Sequence, residues 1–151
     1  MNWPYLIAGL CGLLVGAVLG AQSGVNGTLA KYVGHPLQAS VISFTTGLSI
    51  LLVVSLLFRV FPPKLTVPLA ETPWWSWTGG AIGAIVVTCS LIFAPRTGAL
   101  NWIALIVCGQ VFSSMIFDHF GWVGFPIHTI HPMRIVGAAL LIAGLVIVSR
   151  W

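Results

Sequence analysis

The sequence predicts an all-α integral membrane protein with five transmembrane helices, and three observations carry that prediction. Only 5% of its 151 residues are charged, while 58% are hydrophobic. A soluble domain carries about 25% charged residues to keep its surface wet, so the solvent for most of this surface is lipid. Five apolar stretches approach or exceed the roughly 20 residues a helix needs to cross the hydrocarbon core. Tryptophans and prolines gather at or near the ends of those stretches.

The stretches run approximately Tyr5–Leu29, Pro36–Phe58, Trp75–Ala94, Gly98–Phe117 and Met133–Ser149, and together they predict a single transmembrane domain over residues 1–151. Each lacks Asp, Glu, Lys and Arg except the last, which holds Arg134 one residue inside its start. None has the charged polar face of a helix lying flat on the membrane, which favours five spans over four. The first stretch is longer than the apolar region of a signal peptide and has no Lys or Arg ahead of it, so it is expected to be a span. Cys11, Cys89 and Cys108 all fall inside spans. That placement speaks against a disulfide framework or a zinc site and predicts small buried apolar residues.

Trp3, Trp74, Trp75, Trp77, Trp102, Trp122 and Trp151 mark the water boundaries, where an amphipathic ring is most comfortable. Pro95-Arg96-Thr97 reads as a tight turn between the third and fourth helices. The connection from Arg59 to Trp74 is longer and proline-rich. The one from Asp118 to Pro132 is too apolar for a free loop and is expected to lie along the membrane surface.

Five spans put the termini on opposite sides. Arg59, Lys64 and Arg134 then share one face, and Lys31, Arg96 and Arg150 the other. Orientation normally follows an excess of Lys and Arg on the cytoplasmic side. The balance here predicts dual topology, with both orientations inserted and two copies pairing as an antiparallel homodimer.

Gly12, Gly16, Gly20 and Gly24 recur every four residues in the first span, and Gly79 and Gly83 repeat the spacing in the third. Ala39, Ser43 and Gly47 keep it in the second, and Gly137 and Gly144 lie seven apart in the fifth. Such rows let neighbouring backbones approach closely, and small residues must supply close contact because lipid gives no gain for burying Leu against Leu. Helix packing is therefore assigned to Gly12, Gly16, Gly20, Gly79 and Gly83.

Polar groups in hydrocarbon are costly unless paired or wet. Gln22 and Asn26 share a helix face with Ser23 beside them, Ser43, Thr45 and Thr46 lie in the second span, and Gln110, Ser114 and Asp118 form a stripe at four-residue steps. Hydroxyls alone are readily explained as hydrogen-bonding glue between helices. Two glutamines and an asparagine among glycine-lined helices point to a polar pathway, so Gln22, Ser23, Asn26, Ser43, Gln110 and Ser114 are the candidate substrate-binding residues. Asp118 is the acid at a span end: a candidate for ion coupling, or a helix-end residue near His119. Glu71 sits in the proline-rich connection and is expected to be solvated. His35, His119, His128 and His131 are all placed outside the spans as interfacial side chains, with no acid or cysteine positioned to complete a metal site. No nucleophile–base pair, phosphate loop or nucleotide fingerprint is present, so neither an enzyme nor a cofactor is expected. The net charge of +4 is spread over both faces and does not outline a nucleic-acid surface.

QSGVNGTLA, SFTTG, WTGGAIGAIVV, GQVFSSMIFDHFG and RIVGAALLIAG occur in this order, one in each span. The ordered set resembles the YdcZ-like family of small five-helix proteins in the drug/metabolite transporter superfamily, over essentially the whole chain. The resemblance implies a bacterial inner-membrane transporter that works as a dimer; some members of that family are single dual-topology chains and others paired or fused inverted halves, and the balanced charges here match the single-chain type. It supplies no substrate. The related small multidrug exporters carry a glutamate in their first helix for proton and cation binding, whereas this first span offers only the amides Gln22 and Asn26.

These observations lead to a transporter with alternating access around a polar site near the bilayer midplane, where repeat-related transporters place theirs. Its partners would be the lipid bilayer, a small-molecule substrate and a second, inverted copy of the chain. The alternative is a passive dual-topology channel for a small solute or ion, which suits the lack of a central titratable group. A third reading is a membrane protein without flux, in which the amides are only glue.

Overall fold

With no water in the bilayer to bond backbone groups, an apolar stretch must satisfy its own N–H and C=O groups, and a helix does so. The computed structural model describes residues 3–64 and 66–150. Its five long helices are α1 (Trp3–Val33), α2 (Pro36–Leu57), α3 (Gly79–Thr97), α4 (Ala99–Phe120) and α5 (Pro132–Arg150). Each is long and apolar enough to cross a membrane, α3 together with the short 3-10 turn Trp74–Thr78 ahead of it.

The helix ends depart from the sequence expectation where local chemistry allows. α1 runs past Leu29 to Val33, placing Lys31 in its last turn, where a cation complements the helix dipole. Pro95-Arg96-Thr97 is not a turn but the last turn of α3. Near a helix end the missing proline N–H costs one hydrogen bond rather than breaking a span. α3 gives way to α4 instead at Gly98, whose φ of 86° suits a residue without Cβ. α4 likewise runs on to Phe120, so Asp118 and His119 belong to its last turn and not to the connection. Gly121 closes that helix in the left-handed conformation, φ 65°, its N–H bonded to the Phe117 carbonyl. A Cβ there would lie 2.8 Å from Cγ1 of Ile127, so both conformation and space require glycine.

Two histidines start helices. The ring Nδ1 of His35 accepts from the Leu37 N–H at 3.1 Å, with Pro36 opening α2. His131 does the same for α5, accepting from Met133 N–H at 3.3 Å with Pro132 first in the helix. Each His-Pro pair thus joins a side chain that satisfies an orphan N–H to a residue already fixed in helical φ.

The chain forms two compact units, Met1–Ile92 and Phe93–Trp151, with the boundary inside α3. In the first, α1 packs on α2. The Thr88 hydroxyl of α3 donates to Ser40 Oγ of α2 at 3.0 Å, and a Cβ on Gly83 would meet the Phe44 ring at 3.5 Å. In the second, α4 packs on α5, Cys108 Sγ approaches the Leu141 carbonyl at 3.8 Å, and Phe93 stacks on Trp102 with ring centres 5.6 Å apart.

Burial is inverted relative to a soluble protein. Among the described residues the buried ones are Asn26, Ala39, Ser40, Leu91, Ala94, Cys108 and Ala138, nearly all small or polar, while Leu13, Leu14 and Val18 are exposed. Small residues inside and large apolar ones outside is the arrangement expected when the surroundings are hydrocarbon. Of the cysteines expected to be buried, Cys108 is, Cys89 is half-buried and Cys11 is exposed.

Candidate functional site

The polar stripe of α4 faces α5 across a groove of about 440 Å³. Val107, Gln110, Val111, Ser114, Met115 and Asp118 line one wall, a set spaced by three and four residues and therefore one helix face. Arg134, Gly137, Ala138 and Leu141 line the other with the same spacing. Gly137 and Ala138 leave the room that larger side chains would fill. The polar groups run along α4 from Gln110 to Asp118, about 12 Å at the helical rise of 1.5 Å per residue.

At one end of the groove Arg134 Nη1 donates to Asp118 Oδ2 at 3.1 Å. The connection between the helices is fastened to the same corner. The His128 N–H donates to the Asp118 carbonyl at 2.7 Å and the Ile130 N–H to His119 Nδ1 at 3.4 Å. Further in, the side chains of Gln110 and Ser114 have no hydrogen-bond partner among the described residues, whereas neighbouring Ser113, off the stripe, is bonded to the Gly109 carbonyl at 2.8 Å. The groove thus offers a charged pair at its end, two uncommitted polar groups along its wall and apolar side chains between them.

The other candidates belong to the first unit. Asn26 lies eight residues before Gly34 and Ser43 eight after His35, so in the α1–α2 hairpin they stand at one level, about 12 Å from the turn. Asn26 is only 6% exposed, and its amide has no hydrogen-bond partner among the described residues. Ser43 is half-buried and Gln22 exposed. The Ser23 hydroxyl returns to the Gly20 carbonyl at 2.8 Å. Thr45 and Thr46 likewise bond back to Val41 and Ile42, the habit of hydroxyl residues in helices.

Sequence reasoning passed over three groups. Arg134 was counted only for orientation, though a charge inside a span start calls for a partner, and Asp118 is that partner. Ser40 and Thr88 form a bond between helices that no spacing within one helix reveals. Asn101 spends its side-chain N–H on the Thr97 carbonyl at 3.1 Å, leaving its Oδ1 buried without a partner among the described residues. Among the described residues no three His, Cys, Asp or Glu side chains gather to hold a metal.

Five helices long and apolar enough to cross a membrane, with small and polar residues buried between them and large apolar ones outside, define a multi-pass membrane protein. The chain matches the family described as "Putative inner membrane exporter, YdcZ" over residues 4–147. It belongs to that family and is a multi-pass inner membrane protein. A search of curated proteins gives no match, and a search of solved structures gives none either.

Proposed function

We propose that the chain exports a small molecule across the inner membrane as an antiparallel homodimer, by alternating access around a polar site to which the α4–α5 groove contributes. One observation carries this reading: in a family of exporters, Gln110 and Ser114 line a groove with their hydrogen-bonding capacity unspent. Uncommitted polar groups in hydrocarbon are costly unless something wet or polar meets them. The dimer rests on the balanced basic residues and on the glycine row: a Cβ on Gly12 or Gly16 would meet no atom within 4 Å among the described residues, which leaves that face open to a second chain. Asn26 and Ser43, level with one another in the α1–α2 hairpin, are candidate substrate contacts of the first unit. Asp118 is the group through which ion coupling would run.

The test is efflux from proteoliposomes loaded with a mixture of labelled metabolites, followed by counterflow with whichever solute leaves. Saturable efflux with counterflow supports an exporter. Flux that rises linearly with concentration and shows no counterflow would replace it with the channel reading.

A further inference from the structure

Resting on the reading that the α4–α5 groove handles solute, we infer that the groove recognises a small zwitterion carrying an apolar side group, its charged head held between Asp118 and Arg134.

The argument starts with what the ion pair leaves unused. The 3.1 Å bond between Arg134 Nη1 and Asp118 Oδ2 engages one guanidinium nitrogen and one carboxylate oxygen. Asp118 Oδ1 and the remaining guanidinium N–H groups have no partner among the described residues. Both side chains stay accessible, 29% and 41% exposed, and both line the groove. The end of the groove therefore presents an anionic acceptor and cationic donors side by side. A lone cation there would be attracted by the carboxylate and repelled by the guanidinium, and a lone anion the reverse. A molecule with an ammonium and an anionic group close together satisfies both, each through a charge-assisted hydrogen bond. It also leaves the site neutral, which matters where an unpaired charge is costly.

The rest of the groove fits the rest of such a molecule. Val111, Met115 and Leu141 offer apolar contact, and Gln110 and Ser114 are neutral. The volume, about 440 Å³, falls within the range of small-molecule pockets. The chemistry has two sources, a free amino acid with an apolar side chain or the headgroup of phosphatidylethanolamine.

The experiment measures equilibrium binding of radiolabelled leucine and phenylalanine to the full chain in phosphatidylglycerol nanodiscs. Leucine methyl ester, which lacks the anion, and N-acetylleucine, which lacks the cation, serve as competitors. Saturable binding is expected, with each competitor weaker than leucine by about tenfold or more, the worth of one charge-assisted hydrogen bond. Asp118→Asn should let N-acetylleucine compete as well as leucine, and Arg134→Gln should do the same for the methyl ester. Gly137→Leu keeps the ion pair and enters open space at its Cβ, so it should fold, fill the groove and abolish binding. If the charge variants fail to fold, the competition series on the unaltered chain decides alone. Repeating the binding with phosphatidylethanolamine in the nanodiscs separates the sources. Loss of leucine binding there assigns the groove to the headgroup, and unchanged binding assigns it to the free solute. No saturable binding of either amino acid, a competitor equal to leucine on the unaltered chain, or undiminished binding in Gly137→Leu would overturn the inference. Binding needs no flux, so leucine bound without export of any solute sinks the exporter reading alone. Export of another solute without zwitterion binding sinks this one alone.

Discussion

Gln110 is where a pathway and a structural bond make different demands on one side chain. It lies near the middle of α4, lines the groove and has no hydrogen-bond partner among the described residues. Gln110→Ala should therefore cut saturable efflux about tenfold while changing stability by well under the roughly 1 kcal/mol expected of an interhelical polar bond. Efflux per folded molecule, set against unfolding in mixed micelles, checks both halves. Ser40 and Thr88 are the contrasting case, since their hydroxyls are bonded to each other at 3.0 Å and Ser40 is buried. Ser40→Ala, Thr88→Ala and the double change should close a cycle with a coupling of about 0.6 kcal/mol, with transport per folded molecule unaltered. A coupling near zero would mean the two hydroxyls find other partners.

Glycine positions carry different meanings on different helices. Gly16→Leu on α1 enters open space within its unit, whereas a side chain on Gly83 of α3 meets the Phe44 ring at 3.5 Å. Gly16→Leu should leave a folded chain with a reduced dimer fraction, and Gly83→Leu should lower the yield of folded chain itself. Crosslinking in membranes and folded yield in detergent separate the two outcomes. This element scale also shows how far the sequence could be read. Apolar length located each helix, because lipid punishes every alternative to a helix. The ends were harder, since they depend on single residues. The starts of α2 and α5 fall on or within one residue of the expected Pro36 and Met133, but the caps His35 and His131 go unread because histidine is an uncommon cap beside Ser, Thr, Asp and Asn. Gly98 and Gly121, not the nearby Pro95 or Asp118, mark the real stops. On α4 the four-residue repeat of Gln110, Ser114 and Asp118 was legible as a stripe. That the stripe faces Arg134 depends on how α5 returns, which no periodicity within one helix encodes.

At the scale of the molecule the balance of positive charge is the property with the widest reach. Arg134 is paired with Asp118, yet acidic residues contribute little to the orientation rule, so the pair does not tilt the count. Adding three lysines to the face of Lys31 and Arg96 should lock one orientation and abolish export. Coexpression with a chain biased through the face of Arg59 and Lys64 should restore it. A single locked chain that exports at full rate alone would rule out the antiparallel dimer.

The inverted burial has a calorimetric consequence. Leu13, Leu14 and Val18 are exposed in the folded chain and remain against acyl chains when the helices separate within a micelle or bilayer. Unfolding of this kind moves little apolar surface into water, and hydration of such surface is what gives soluble proteins a heat-capacity increment of about 12–15 cal/mol/K per residue. Scanning calorimetry in micelles should find a fraction of that increment, and a stability curve that is correspondingly flat with temperature. An increment of the soluble size would mean that the large side chains on the outside of α1 are covered in the native assembly and reach water when it comes apart.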